Sequence, residues 1–194
     1  YRTLYENDDQ PAIDGRQRHI LGVGRTLSDK IYAEIYLTGV GDIPAGLSVD
    51  DIELELIWQL SKQGEFNNDW GLLFELERDK NDNEWEASTT LIGLRNWRRW
   101  TMTGNVTLAY EWGSQIEDEL DTSVLAQFRH RSVEWFEPAF EIYLGEDTTG
   151  AGPVLTGLYR LSNRNKIRWE FGVIFGADST TADTNWKFNL EYEF

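Results

Sequence analysis

The sequence predicts an all-β fold: a closed, antiparallel, up-and-down transmembrane β-barrel of about twelve strands, with residues 1–194 as one domain. Three observations carry this expectation. Apolar and polar residues alternate with a period of two through successive segments, the connections between segments alternate between acidic and basic, and the tryptophans gather near segment ends.

Successive side chains of a strand point to opposite faces, so alternation marks a two-faced strand. Residues 1–7, 16–27 and 30–38 alternate weakly. Ile52, Leu54, Leu56, Trp58 and Leu60 then oppose Glu53, Glu55, Ile57 and Gln59. Segments 70–78 and 84–94 are weaker again. From Thr101 to Trp112 the pattern is clearest, with Met102, Gly104, Val106, Leu108, Tyr110 and Trp112 against Thr101, Thr103, Asn105, Thr107, Ala109 and Glu111. After segment 119–130, Phe136, Pro138, Phe140, Ile142 and Leu144 oppose Glu137, Ala139, Glu141 and Tyr143. Segment 153–161 leads to Ile167, Trp169, Phe171, Val173 and Phe175, set against Arg168, Glu170, Gly172 and Ile174. Trp186, Phe188, Leu190, Tyr192 and Phe194 close the chain against Lys187, Asn189, Glu191 and Glu193. Most segments approach the roughly 9–11 residues that a tilted strand needs to cross a bilayer.

One set of connections is acidic: residues 7–9, 41–46, 79–83, 117–119, 145–150 and 177–183. The other is mostly short and basic: 28–30, 61–63, 95–99, 129–131 and 162–166. In an up-and-down barrel every second connection lies at the same end, so a closed meander produces this alternation. Trp58, Trp70, Trp97, Trp100 and Trp135 fall near the basic end, and Trp85, Trp112 and Trp186 near the acidic end. With Phe194 they are the expected membrane girdles, and Trp169 lies outside that pattern. A lipocalin-like barrel or a β-sandwich also alternates, but twelve strands enclose an interior too wide for one sheet face to fill.

Composition narrows the function. The absence of Cys excludes a disulfide framework, a thiolate zinc site and a thiol nucleophile. A net charge of −16 argues against nucleic acid and against docking on anionic lipid. No run of apolar residues reaches the length of a membrane helix. The mean hydropathy of −0.51 is compatible with a barrel, because inner-face and loop residues dilute the lipid face. A chain beginning at Tyr1 reads as a processed, exported protein.

The final segment, Trp186 to Phe194, resembles the C-terminal signature of bacterial outer-membrane proteins, alternating aromatics ending in Phe. That resemblance implies the bacterial outer membrane, a periplasmic C-terminus and insertion by the barrel-assembly machinery, with membrane lipid and lipopolysaccharide as surroundings. The stretches FEPAFEIYLGE (136–146), GPVLTGLYRLSNRNKIRWEFGVIFG (152–176) and WKFNLEYEF (186–194) resemble the outer-membrane porin family of phenol-degradation type. This implies a location and a fold, not a substrate. Strand number and length are also similar to the small twelve-stranded porins for oligogalacturonate and sialic acid. Those carry basic pore ladders, whereas the inner face here is largely acidic.

The expected pore-lining set is Glu34, Glu53, Glu55, Glu75, Glu77, Glu86, Glu111, Asp121, Glu137, Glu141, Glu170 and Glu191, opposed by Arg18, Arg129, Arg160 and Arg168. Rings of acidic side chains favour cations. The expected function is passive diffusion of small neutral or cationic solutes. The alternative is a salt-bridged, plugged barrel serving as a structural or docking element for a periplasmic or surface partner. Bulky inner positions (Ile57, Leu73, Ile92, Leu125, Tyr143, Leu158 and Ile174) narrow the lumen under either reading.

Catalytic readings are weaker. Glu53/Glu55 and Glu75/Glu77 place carboxylates about 7 Å apart on one strand face, which chance supplies in so acidic a chain. A lipid-modifying enzyme would need a Ser–His pair, and His19 and His130 are the only histidines; Ser88 is not an evident neighbour of His19. Asp79, Asn81, Asn83 and Glu84 imitate the start of a calcium loop but lack its glycine at the sixth position. No catalytic residue, metal site or cofactor is expected.

Overall fold

The computed structural model describes residues 1–11, 13–42, 46–80, 83–114, 116–146, 148–162 and 165–194. Twelve strands form: β1 (Arg2–Asn7), β2 (Arg16–Ser28), β3 (Ile31–Asp42), β4 (Gly46–Gln59), β5 (Asp69–Asp79), β6 (Glu84–Trp97), β7 (Trp100–Gly113), β8 (Glu119–His130), β9 (Glu137–Leu144), β10 (Gly150–Arg160), β11 (Lys166–Gly176) and β12 (Thr184–Glu193). Each pairs antiparallel with its neighbours in sequence, and β1 with β12 closes the barrel. Closure leaves no open sheet edge, a requirement in a hydrocarbon environment.

Apolar side chains point outward. Leu21, Val23, Ile35, Leu54, Leu91, Leu108, Phe140 and Phe171 are all exposed, on the face opposite the charged inner residues of their strands. Among the described residues only Tyr36, Val154, Ile174 and Ala182 are buried hydrophobics, against ten buried polar or charged residues. This is the inverse of a soluble barrel, whose burial is mostly apolar.

Two boundaries depart from the expected ones. β3 and β4 continue to Asp42 and from Gly46, instead of stopping near 38 and starting near 52. A register shift between Thr38 and Gly39 pairs Thr38 with Asp51 but Gly39 with Val49, leaving Asp50 as the extra residue. A bulge of this kind inverts parity from one side of the extra residue to the other. Leu47 and Val49 are therefore exposed on odd positions, and Ile52 and Leu54 on even ones. The second departure is the β4–β5 connection, which occupies 60–68 and not a short turn at 61–63. Ser61 organises it: its backbone N–H donates to the Trp70 carbonyl at 3.2 Å, and its hydroxyl accepts from the Trp70 N–H at 2.8 Å. Of the expected loop residues, Ile43–Ala45, Asn81, Asp82, Asp147, Asn163 and Arg164 lie outside the described residues. The calcium-loop reading, which includes Asn81, falls with them.

Candidate functional site: the inner face of the barrel

Register partners share a face of the sheet, so pairing carried around the barrel fixes the inner set. One tier runs Tyr36, Glu53, Glu77, Glu86, Glu111, Glu119, and the next runs Glu34, Glu55, Glu75, Ser88, Ala109, Asp121. On the other half, Glu137 leads through Thr156 to Glu170, and Leu158 through Arg168 to Glu191. Arg160 joins Lys166 and Glu193, Gln127 pairs with Glu141, and Arg129 with Ala139. Every residue of the expected acidic and basic set, Arg18 included, takes an inner position. So do Ile57, Leu73, Ile92, Leu125, Tyr143, Leu158 and Ile174.

The charges do not spread evenly. Inner positions of β3 to β8 carry carboxylates on nearly every strand, with Arg129 as the one cation among the described residues. The remaining inner cations (Arg2, Arg16, Arg18, Arg160, Lys166, Arg168 and Lys187) lie on β10 to β12, β1 and β2. Most pair locally: Arg129 with Glu137 at 3.2 Å, Arg168 with Glu193 at 2.6 Å, Lys166 with Glu193 at 2.8 Å and Arg16 with Glu6 at 2.9 Å.

Two cations reach further. Lys187 on β12 extends past β11 and β10 to Glu141 on β9, 2.6 Å away, and also meets Glu170 at 2.8 Å and the Tyr143 hydroxyl at 3.1 Å. Gly172 makes room, since a Cβ there would come within 3.1 Å of the Lys187 stem. Arg2 on β1 reaches across β2 to donate to the Tyr36 hydroxyl at 2.7 Å and to approach Glu55 on β4 at 3.7 Å. The Tyr36 ring lies over Gly22, where a Cβ would sit 2.2 Å from it, and its hydroxyl donates to Glu34 at 2.6 Å. Sequence reading missed Lys187 and Arg2 as central cations. Alternation puts Lys187 on the inner face, but a chord across three strands leaves no local signal.

These chords leave room beside them. A cavity of about 660 Å³ at the acidic end is lined by Arg16, Arg18 and Lys187. A second, of about 580 Å³, is lined by Glu75, Glu86, Glu111 and Asp121. A third, of about 730 Å³, lies at the basic end near Tyr32, Glu34 and Glu191. The β11–β12 loop roofs the first: its own Thr181 and Ala182 are buried and line the cavity, and Thr181 Oγ1 accepts from the Thr149 N–H at 2.8 Å. Hydrogen bonds from the Thr181 side chain and N–H hold the Asp178 carboxyl down to about 2. At the other end Arg160 clasps Glu134 and holds that carboxyl below its ordinary range.

Trp58, Trp70, Trp97, Trp100, Trp112 and Trp186 take outward positions, with Phe194 92% exposed at the basic rim. Trp85 stacks on Trp112 with ring centroids 6.3 Å apart, and Trp135 packs beside Phe136. Trp169 lies further in, its indole nitrogen against Gly157.

The other candidates do not assemble. Ser88 points inward and donates to Glu75, whereas His19 points outward on β2 and bonds the Tyr1 hydroxyl at 2.6 Å. Glu53, Glu55 and Glu75 bring carboxylate oxygens within 4.8 Å of one another, as do Glu119, Asp121 and Glu146. Such oxygens suit hard cations, but Glu55 already faces Arg2 and Glu75 already accepts from Ser88.

The architecture defines a porin-like barrel: twelve antiparallel strands, closed, apolar outside and charged within. A solved structure of the NanC porin superposes with a TM-score of 0.62, covering 100% of this chain and 98% of that one at 10% identity. At that identity the likeness shows the fold. No family model matches the chain, and no curated protein does.

Proposed function

We propose that this chain is an outer-membrane channel for passive diffusion of small solutes, with an acidic lumen that favours cations over anions. The observation that carries the reading is the inversion of burial. Leucines, valines and phenylalanines are exposed on the outer wall, while carboxylates and hydroxyls line polar cavities within. Water would not tolerate that outer wall on a monomer, whereas a bilayer requires it. The basic connections and the C-terminus face the periplasm in this reading, and the acidic loops face outward among lipopolysaccharide. The barrel-assembly machinery would read the terminal strand.

Purified protein is expected to need detergent, to migrate differently on gels before and after boiling, and to produce conductance steps in planar bilayers. Recovery as a detergent-free soluble monomer would overturn the location. A second reading, the plugged barrel acting as a structural or docking element, draws on the chords from Lys187 and Arg2. Heat-modifiable protein that inserts without conducting would select it.

A further inference from the structure

We infer that the solutes this lumen favours are zwitterions, carrying an ammonium and a carboxylate on one small molecule. This rests on the channel reading and narrows its substrate class. Two cavities lie side by side, and Tyr143 and Thr148 line both. Their charges differ: the first presents cations held by nearby acids, and the second is strongly acidic. Arg16, Arg18 and Lys187 line the first, with Glu6 and Asp50 as its acids. Glu75, Glu86, Glu111, Asp121 and Glu146 line the second, with Arg2 as its cation.

Acids line the whole wall, but the inner cations other than Arg129 gather on β10 to β12, β1 and β2, so that arc is close to charge balance while β3 to β8 are strongly acidic, and a field runs across the lumen. Arg16 and Arg18 remain about half exposed, at 54% and 49%, despite their pairs with Glu6 and Asp51. Guanidinium forks bind carboxylates, and clustered carboxylates attract ammonium groups. A simple cation gains on the acidic side and has no group that the half-exposed guanidiniums of Arg16 and Arg18 can bind. A simple anion meets the reverse. A zwitterion aligned across the field gains on both sides, and low-dielectric walls strengthen that alignment. The folded β11–β12 loop roofs the cationic side through Thr180, Thr181 and Ala182, so a carboxylate held there is partly screened from bulk water.

Three probes of matched shape separate the cases: glycine betaine as zwitterion, choline as cation and 3,3-dimethylbutyrate as anion. Their uptake into proteoliposomes holding the whole chain is measured beside potassium chloride conductance of the same preparation. Betaine is expected to enter severalfold faster than either of the others. The double variant Arg16→Gln/Arg18→Gln, checked for folding by heat-modifiable migration, is expected to lose that advantage while choline uptake is maintained or rises. Loss of uptake for all three alike in the folded variant would mean a structural role for these arginines and overturn the inference. Faster choline than betaine in the unaltered chain would overturn it too, with the channel reading intact. Absence of any conductance would overturn both.

Discussion

Leu108→Arg is expected to destabilise the barrel in lipid by about 2–4 kcal/mol. Leu108 stands mid-strand on the outer face of β7, 49% exposed, between Val106 and Tyr110, which also point outward. A guanidinium there would sit near the bilayer midplane without a partner. The adjacent Thr107 provides the control. It points inward, where its hydroxyl meets that of Thr90 at 2.7 Å, and it lines the acidic cavity. Thr107→Arg removes one hydrogen bond, worth about 1 kcal/mol, and places a cation among carboxylates. Equilibrium refolding in lipid vesicles under urea measures both. Equal losses would contradict the assignment of faces.

Lys187→Met is expected to cost about 3 kcal/mol, because it strands carboxylates that have little water to turn to. Glu141 has a side chain only 3% exposed, and Lys187 lies 2.6 Å from it and 2.8 Å from Glu170. Tyr143 and Gln127 also donate to Glu141, at 2.7 and 2.8 Å, and do not replace the lost charge. Adding Glu141→Gln should recover much of the loss. Arg168→Met is the contrast: its pairs with Glu191 and Glu193 are far more exposed, so the expected cost is below about 1 kcal/mol. Similar losses for the two single variants would mean that the Lys187 cluster is as solvated as the rim.

Alternation made the faces legible because a strand's period of two does not depend on tertiary partners. The inner places of Glu53, Glu75, Glu111 and Arg168, and the outer places of Trp58, Trp112 and Trp186, follow from parity alone. The start of β4 was hidden because the bulge at Asp50 inverts parity between Val49 and Ile52, which reads as an irregular loop. The length of the 60–68 connection was hidden because Ser61-Lys62 already looks like a turn, and only the Ser61–Trp70 bonds reveal that the chain is held across it. Which carboxylate each cation meets was not legible at all. The reach of Lys187 to Glu141 depends on the space left by Gly172 on the neighbouring strand, and the roof over the cationic cavity depends on Thr181 meeting Thr149.

An open channel with an acidic inner wall is tested most directly by the reversal potential of single channels in planar bilayers under a potassium chloride gradient. Inner carboxylates outnumber inner cations, and fixed charge counts most at low salt, where the Debye length is about 30 Å at 0.01 M. A potential of the sign that marks cation preference is expected. It should grow as salt is lowered and shrink when Glu75 and Glu77 are replaced by Gln. An anion-selective potential, or inserted barrels that pass no current, would contradict it.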